Sequence, residues 1–401
     1  MRACFTFLTL TLSASLSAQG VLPPFKLGVL NPQPGLSAPN IPGTNIQQVH
    51  MIHVPGDLPN VYLCGATISA LSATYGGVGG TDVVTGRYDV LTDIFTPDAN
   101  AAALNTTGTE FGLMLHHTGL HAVFDRLPGL PWLATRTALG QPWTIAGQIG
   151  PLPTQSYYDP ALATYNGQPV LLHVLGQDIA MTPINLSNGA LTLPSVVIVP
   201  RARATSTANS PTPVVDSVGE LIGLSHHDVL GSDNDHYMSL DLDVNTPSIL
   251  LHDTATWINN GGFIGGRFFD AESTAPYHTF AINTYWITGG RGPIGGTMDV
   301  FAYVPPTTSN EIYLTYMFIA PTFLPAGVAV PPLAGLLGIN PVGLINLAFP
   351  PHLNMNGEAQ ISLGIPNVNS LRGQRLPVQS ATFAVLANAL TLGNTAVLTI
   401  Q

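Results

Sequence analysis

The residues of this 401-residue chain best suited to chemistry are histidines at the ends of apolar runs. The stretch Glu110 to Leu127, EFGLMLHHTGLHAVFDRL, runs into His116 and His117, turns through polar and Gly residues, and leaves as a second alternating run. The layout returns in Gly167 to Met181, GQPVLLHVLGQDIAM, around His173, and in Gly219 to Asp243 around His226 and His227. A fourth copy, Tyr277 to Tyr303, keeps both apolar runs but carries Asn283 and Tyr285 where the others have histidine. Several imidazoles brought to one pocket would suit a transition metal such as zinc. A strand-end histidine bonded to its own backbone neighbours is the plainer alternative.

Two further groups carry oxygen chemistry. Ser225 to Asp243, SHHDVLGSDNDHYMSLDLD, is the densest polar stretch in a chain with only 8% charged residues. Its Asp228, Asp233, Asn234, Asp235 and His236 could offer oxygens to calcium or hydrogen bonds to sugar hydroxyls, although the spacing and terminal Glu of an EF-hand are absent. A solvated hairpin tip explains the same residues. The incoming runs of successive units each hold an aspartate, Asp159, Asp216 and Asp270, and Asp125 stands on an outgoing run. Such a recurring Asp either serves acid–base work or bonds turn backbone in each unit. Tyr157, Tyr158, Trp132, Trp143, Trp257, Tyr285 and Trp286 fall near strand ends, where aromatic faces pack between sheets or hold sugar rings.

These groups need a scaffold that brings distant residues together, and the spacing supplies one. His117 to His173 is 56 residues, His173 to His227 is 54, and His227 to Asn283 is 56. Four strand-like runs per unit at that period predict the blades of a β-propeller, with room for five between residues 48 and 306. The composition agrees: 41 Gly and 35 Pro with abundant Thr, Val and Ser favour strands joined by tight turns over helices. A pair of β-sandwiches is the rival architecture. Residues 307–401 are expected to form a small β-sandwich-like domain behind a Pro-rich linker.

On these residues the chain resembles the five-bladed propeller glycosidases of the arabinanase and xylosidase type, through the YDPAL of Tyr158 to Leu162, the NGQ turn after it and the apolar strand beyond. That resemblance implies carboxylates from different blades acting as base, acid and modulator of the acid. None of Glu110, Glu220, Glu272, Glu311 and Glu358 stands in the Glu-Gly-Pro setting of the family's acid, and the first unit lacks the family's N-terminal Asp-Pro, so no catalytic label is carried over. The tail, with LRGQRLPVQSATF and an Asn before the last strand, resembles the C-terminal segments of secreted planctomycete proteins and implies an exported accessory β domain.

The start, MRACFTFLTLTLSASLSAQG, has the layout of a secretory signal peptide spanning residues 1–18, so a secreted protein (periplasmic, cell-surface or extracellular) is expected. Cleavage would remove Cys4 and leave Cys64, read as a buried inert thiol. Residues 19–47 follow as an extended Pro-rich segment. Lys26 is the sole lysine and the formal net charge is −11, which excludes a basic surface for nucleic acid. Ala320 to Phe349 is apolar but broken by Pro321, Pro325, Pro331, Pro332 and Pro341, so no membrane span is expected. No GxSxG, HExxH, phosphate-cradling Gly loop or CxxC pair occurs.

The sequence therefore predicts binding of a neutral glycan or polyol, or a cell-surface carbohydrate polymer, at one propeller mouth through His116, His117, His173, His227, Asp228, Asp233 and Asp235. A divalent metal, calcium or zinc, is a possible companion. A glycoside hydrolase or lyase and a non-catalytic structural or adhesive protein are the alternatives.

Overall fold

The computed structural model describes chiefly residues 46–150, 159–239 and 286–401, each with short breaks, and short strand segments between 249 and 281, at 25–26 and at 31–32. The signal-peptide stretch and Asp216, Asp270, Asn283, Tyr157, Tyr158, Trp257 and Tyr285 lie outside the described residues.

Four antiparallel meanders of four strands follow one another along the chain. The first comprises Ile46–Ile52, Val61–Ile68, Asp82–Asp89 and Ile94–Pro97. The second comprises Thr109–Leu115, His121–Leu127, Pro131–Thr135 and Thr144–Gln148. Ala161–Tyr165, Gln168–Leu175, Asp178–Pro183 and Val196–Val199 make the third. Thr207–Val215, Leu221–Leu230, Asp233–Ser239 and Ile249–His252 make the fourth, whose outer edge is closed by Phe25–Lys26 pairing in parallel with Ile249 and Leu250.

Turn chemistry sets the register. Asn166 and Gly167 have φ of 52° and 70°, and Tyr165 pairs directly with Gln168, so Asn-Gly closes a two-residue hairpin whose twist matches its strands. Gly176, with φ of 67°, and Gln177 form the next two-residue turn, between Leu175 and Asp178.

The meanders pack face against face. Leu63 and Val83 of the first share a core with Leu113, Phe124 and Trp143 of the second. Met114, Val123 and Leu133 of the second share another with Leu171 and Ile179 of the third and Ala208 and Leu224 of the fourth. Phe124 is fully buried, a contribution of about 2–3 kcal/mol from its apolar surface alone. The first strands of successive meanders touch one another, so the sheets radiate from a common centre in an all-β, propeller-like arrangement.

Two sheets make a C-terminal sandwich. Trp286–Ile287, Thr297–Tyr303 and Glu358–Gly364 form one, and Gly290–Gly292, Ala389–Ile400, Arg375–Ala384, Ile312–Ile319 and Ile345–Ala348 form the other. Val300 and Phe301 of the first sheet meet Met317, Val378 and Leu398 of the second in a core that also takes in Val214 and Ile222 of the fourth meander. Thr297–Tyr303, which the sequence pattern groups with the propeller, is hydrogen-bonded along its length to Glu358–Gly364.

Within Ala320 to Phe349 the prolines do not prevent strands. Phe323–Ala329 and Leu336–Ile339 pair across a register shift that accommodates Pro325, and Pro331, Pro332 and Pro341 fall outside both strands. Among the described residues no helix is long and apolar enough to cross a membrane.

Candidate functional site

The histidines of the repeated pattern do not occupy equivalent places. His116 and His117 follow the first strand of their meander, whereas His173 and His227 lie within the second strand of theirs. An apolar run, a turn and another apolar run describe any hairpin of a meander, and the first and second hairpins open at opposite ends of a sheet. The sequence pattern is therefore one strand out of phase in the second meander.

His116 Nε2 lies 3.3 Å from Thr164 Oγ1 and Nδ1 lies 3.0 Å from Thr118 Oγ1, while its ring centroid is 4.1 Å from that of His117 and 5.8 Å from that of His121. Burial, with the neighbouring imidazoles adding to it, pushes His116 down to about 3 and lowers His117 and His121 as well, so this knuckle of rings is neutral at pH 7. His117 packs on the bare Cα of Gly219, from the fourth meander.

His173 is satisfied inside its own sheet, with Nε2 2.8 Å from Thr182 Oγ1 and Nδ1 3.1 Å from the Val174 carbonyl. His227 is buried opposite Asn209. Asp228 is fully buried and committed to structure: Arg203 Nε donates to it at 3.1 Å and Ser206 Oγ at 2.9 Å. Asp233 and Asp235 pair through backbone with Leu230 and Asp228, and their side chains lie outside the described residues. The seven residues expected to share one mouth are thus divided between two ends of the meanders.

What does converge is a polar centre at the level where the first strands begin. Gln48 of the first meander donates through Nε2 to Asp159 Oδ1 at 3.1 Å and accepts from the Gly112 amide at 2.8 Å. Ser210 Oγ of the fourth meander donates to Asp159 Oδ2 at 3.1 Å, and Thr67 Oγ1 accepts from the same Gly112 amide at 3.1 Å. Asp159 leads into the third meander, so all four meanders meet here.

The backbone is bent to achieve this. Gly112, Asp159 and Ser210 have φ of 67°, 51° and 55°, and the first strands of the second and fourth meanders shift register at Phe111/Met114 and Asn209/Thr212. Bulges of this kind re-aim side chains beside functional sites, and non-Gly residues at positive φ mark places where tertiary contacts hold strain.

The centre holds two buried carboxylates. The position a Cβ on Gly112 would take is 2.5 Å from Asp159 Oδ1 and 3.7 Å from Asp125 Oδ2, so both acids line one spot. Burial raises both pKa values, and the Asp159 charge raises Asp125 further, to well above the ordinary carboxylate range. The Asp159 backbone N–H facing Asp125, and Gln48 and Ser210 on Asp159, pull the other way. The pair holds a proton readily, with Asp159 the better solvated by hydrogen bonds and Asp125 the natural carrier. Among the described residues Asp125 meets no protein hydrogen-bond donor besides the Asp159 N–H, and in the first two strands of the fourth meander Asn209 Oδ1, Thr212 Oγ1 and Ser225 Oγ are buried without a protein hydrogen-bond partner. Buried polar atoms with spare capacity mark water or ligand.

Asp159 was visible in the sequence as a recurring acid and Asp125 as an acid on an outgoing run. Gln48, Thr67, Asn209, Thr212 and Ser210 were not, because one neutral side chain per strand leaves no spacing signal. Among the described residues no group of three or more His, Cys, Asp or Glu side chains is arranged to hold a metal ion.

No protein-family model and no curated protein matches the chain. Among solved structures, exo-inulinase from Aspergillus awamori is similar over 92% of this chain and 94% of its own, with a TM-score of 0.37 and 10% sequence identity.

Proposed function

We propose that this is an exported protein that binds a neutral glycan or polyol at the centre where the four meanders meet. One observation carries the reading: Gln48, Asp159 and Ser210, from the first, third and fourth meanders, are hydrogen-bonded together beside Asp125 of the second, and Asn209 and Thr212, on the same strand as Ser210, hold buried oxygens with unfilled hydrogen-bond capacity. Hydroxyl-rich neutral molecules match that chemistry, since they donate and accept alternately and bring no charge to be desolvated. The expected result on an array of neutral oligosaccharides and polyols is selective binding that Asp159→Asn weakens at least about tenfold, the scale of one lost charge-assisted hydrogen bond. His117→Ala, at the far end of the first strands, is expected to leave the affinity unchanged. Equal losses in the two variants, or silence across the array, would sink the proposal.

A second reading, glycoside hydrolysis, is favoured by Asp125 and Asp159 specifically. A protonated Asp125 would donate to a leaving oxygen while ionised Asp159, tuned by Gln48 and Ser210, served as base or nucleophile. Reducing-end release from the bound glycan, cut about a thousandfold by Asp125→Asn, would establish it. Binding without any new reducing ends would leave the lectin-like reading alone.

A further inference from the structure

We propose a second, separate site that binds an oxyanion carried on a sugar-sized molecule, in the cavity lined by Arg291, Arg372 and Arg375. The cavity has a volume of about 460 Å3, its wall also includes Asn166, Thr399 and Gln401, and among the described residues no acidic side chain lines it. The chain has only 11 Lys and Arg against 22 Asp and Glu. Three of those few cations edge one cavity on a molecule whose formal net charge is −11, and among the described residues they outnumber the one acid beside it, Glu220, whose carboxylate accepts from the Asn166 and Gly167 amides.

The wall is built from fixed parts. Arg291 donates through Nη2 to Tyr165 Oη at 2.8 Å, with its Cζ 4.6 Å from the centre of the Tyr165 ring, which holds the guanidinium against the hairpin of the third meander. Gln401 reaches Asn166 on that hairpin. Its backbone N–H donates to the Gly292 carbonyl at 2.9 Å and its carbonyl accepts from Ile294 at 3.2 Å. The turn bearing Arg372 is tied to the last strand by Gly373 N–H to the Ile400 carbonyl at 2.7 Å and Ile400 N–H to the Gln374 carbonyl at 3.0 Å. Arg375 pairs through backbone with Thr399.

Arg375 is desolvated enough that burial lowers its pKa, and a partly dehydrated guanidinium attracts an anion more strongly than a fully hydrated one. Guanidinium forks match the paired oxygens of a carboxylate or sulfate. The Asn166 amide and Thr399 hydroxyl can take hydroxyl groups beside it. A volume of this size suits a small organic ligand rather than a bare ion.

The test uses the mature full-length chain in low-salt buffer, titrated calorimetrically with glucuronate, glucose 6-sulfate, inorganic sulfate and glucose. Binding is expected for either or both acidic sugars, and which one binds tells a carboxylate site from a sulfate-ester site. Arg372→Gln, at an exposed position, should weaken it about tenfold, and the Arg372→Gln/Arg375→Gln double variant should abolish it with the circular dichroism spectrum unchanged. Arg375→Lys, which keeps the charge but loses the fork, should bind more weakly than the parent. Failure of both acidic sugars to bind, unchanged affinity in the double variant, equal binding of glucose, or inorganic sulfate matching the sugars would each overturn the proposal. Asp159→Asn should leave this binding intact, so its outcome is independent of the central site.

Discussion

Asp125 and Asp159 make a specific claim about acid and base. Burial raises both pKa values, so the folded chain holds protons that the unfolded chain releases. The stability the pair confers is therefore complete below the ordinary carboxylate range and is lost as pH rises towards the raised values. The buried histidines act with the opposite sign. His50 and His226, held down to about 4, and His116, held down to about 3, contribute stability above about 6.5 that is lost as pH falls through those values. Asp125→Asn isolates the carboxylate effect: thermal melts should show the variant more stable than the parent by roughly 1–3 kcal/mol at pH 8. The advantage should shrink steadily towards pH 4. A difference that stays constant with pH would mean that the pair is ionised throughout. This centre was half legible in the sequence, where Asp159 recurs on incoming runs and Asp125 stands on an outgoing one, but the neutral side chains that complete it gain meaning only from their place in the meanders.

Bulged first strands are what bring the centre together, and glycine is required at one of them. Gly112 has φ of 67° and faces Asp159 Oδ1 where a side chain would stand, so Gly112→Ala meets both backbone strain and a collision. Urea unfolding should show a loss of roughly 2–4 kcal/mol. Gly167→Ala, at φ of 70° in an open hairpin with nothing near, should cost only about 1 kcal/mol, and similar losses at the two sites would refute the crowding argument. Strands and turns were readable at this scale: Asn166-Gly167 announces its hairpin, and Glu110 to Leu127 covers the first two strands of the second meander to within a residue. Phase was not readable, because alternation and a turn look the same in each hairpin of a sheet. The spacing pairs His117 with His173 for that reason, although one follows a first strand and the other sits inside a second.

Across the whole molecule, one hydrophobic core spans the fourth meander and both sheets of the sandwich, through Val214 and Ile222 against Val300, Met317 and Leu398. Calorimetry should show that the fourth meander and the sandwich melt in one transition. Val214→Ala/Ile222→Ala should lower that transition without splitting it, whereas two resolved peaks in the parent would show that the sandwich folds on its own. The fourth meander also carries Phe25–Lys26 on its outer edge. Segments from early and late in the chain are therefore both fastened to the same sheet. If the protein is held at one end and pulled at the other, the load passes through the fourth meander while the first three bear almost none of it, and Ser210 is the point where that tension reaches the polar centre.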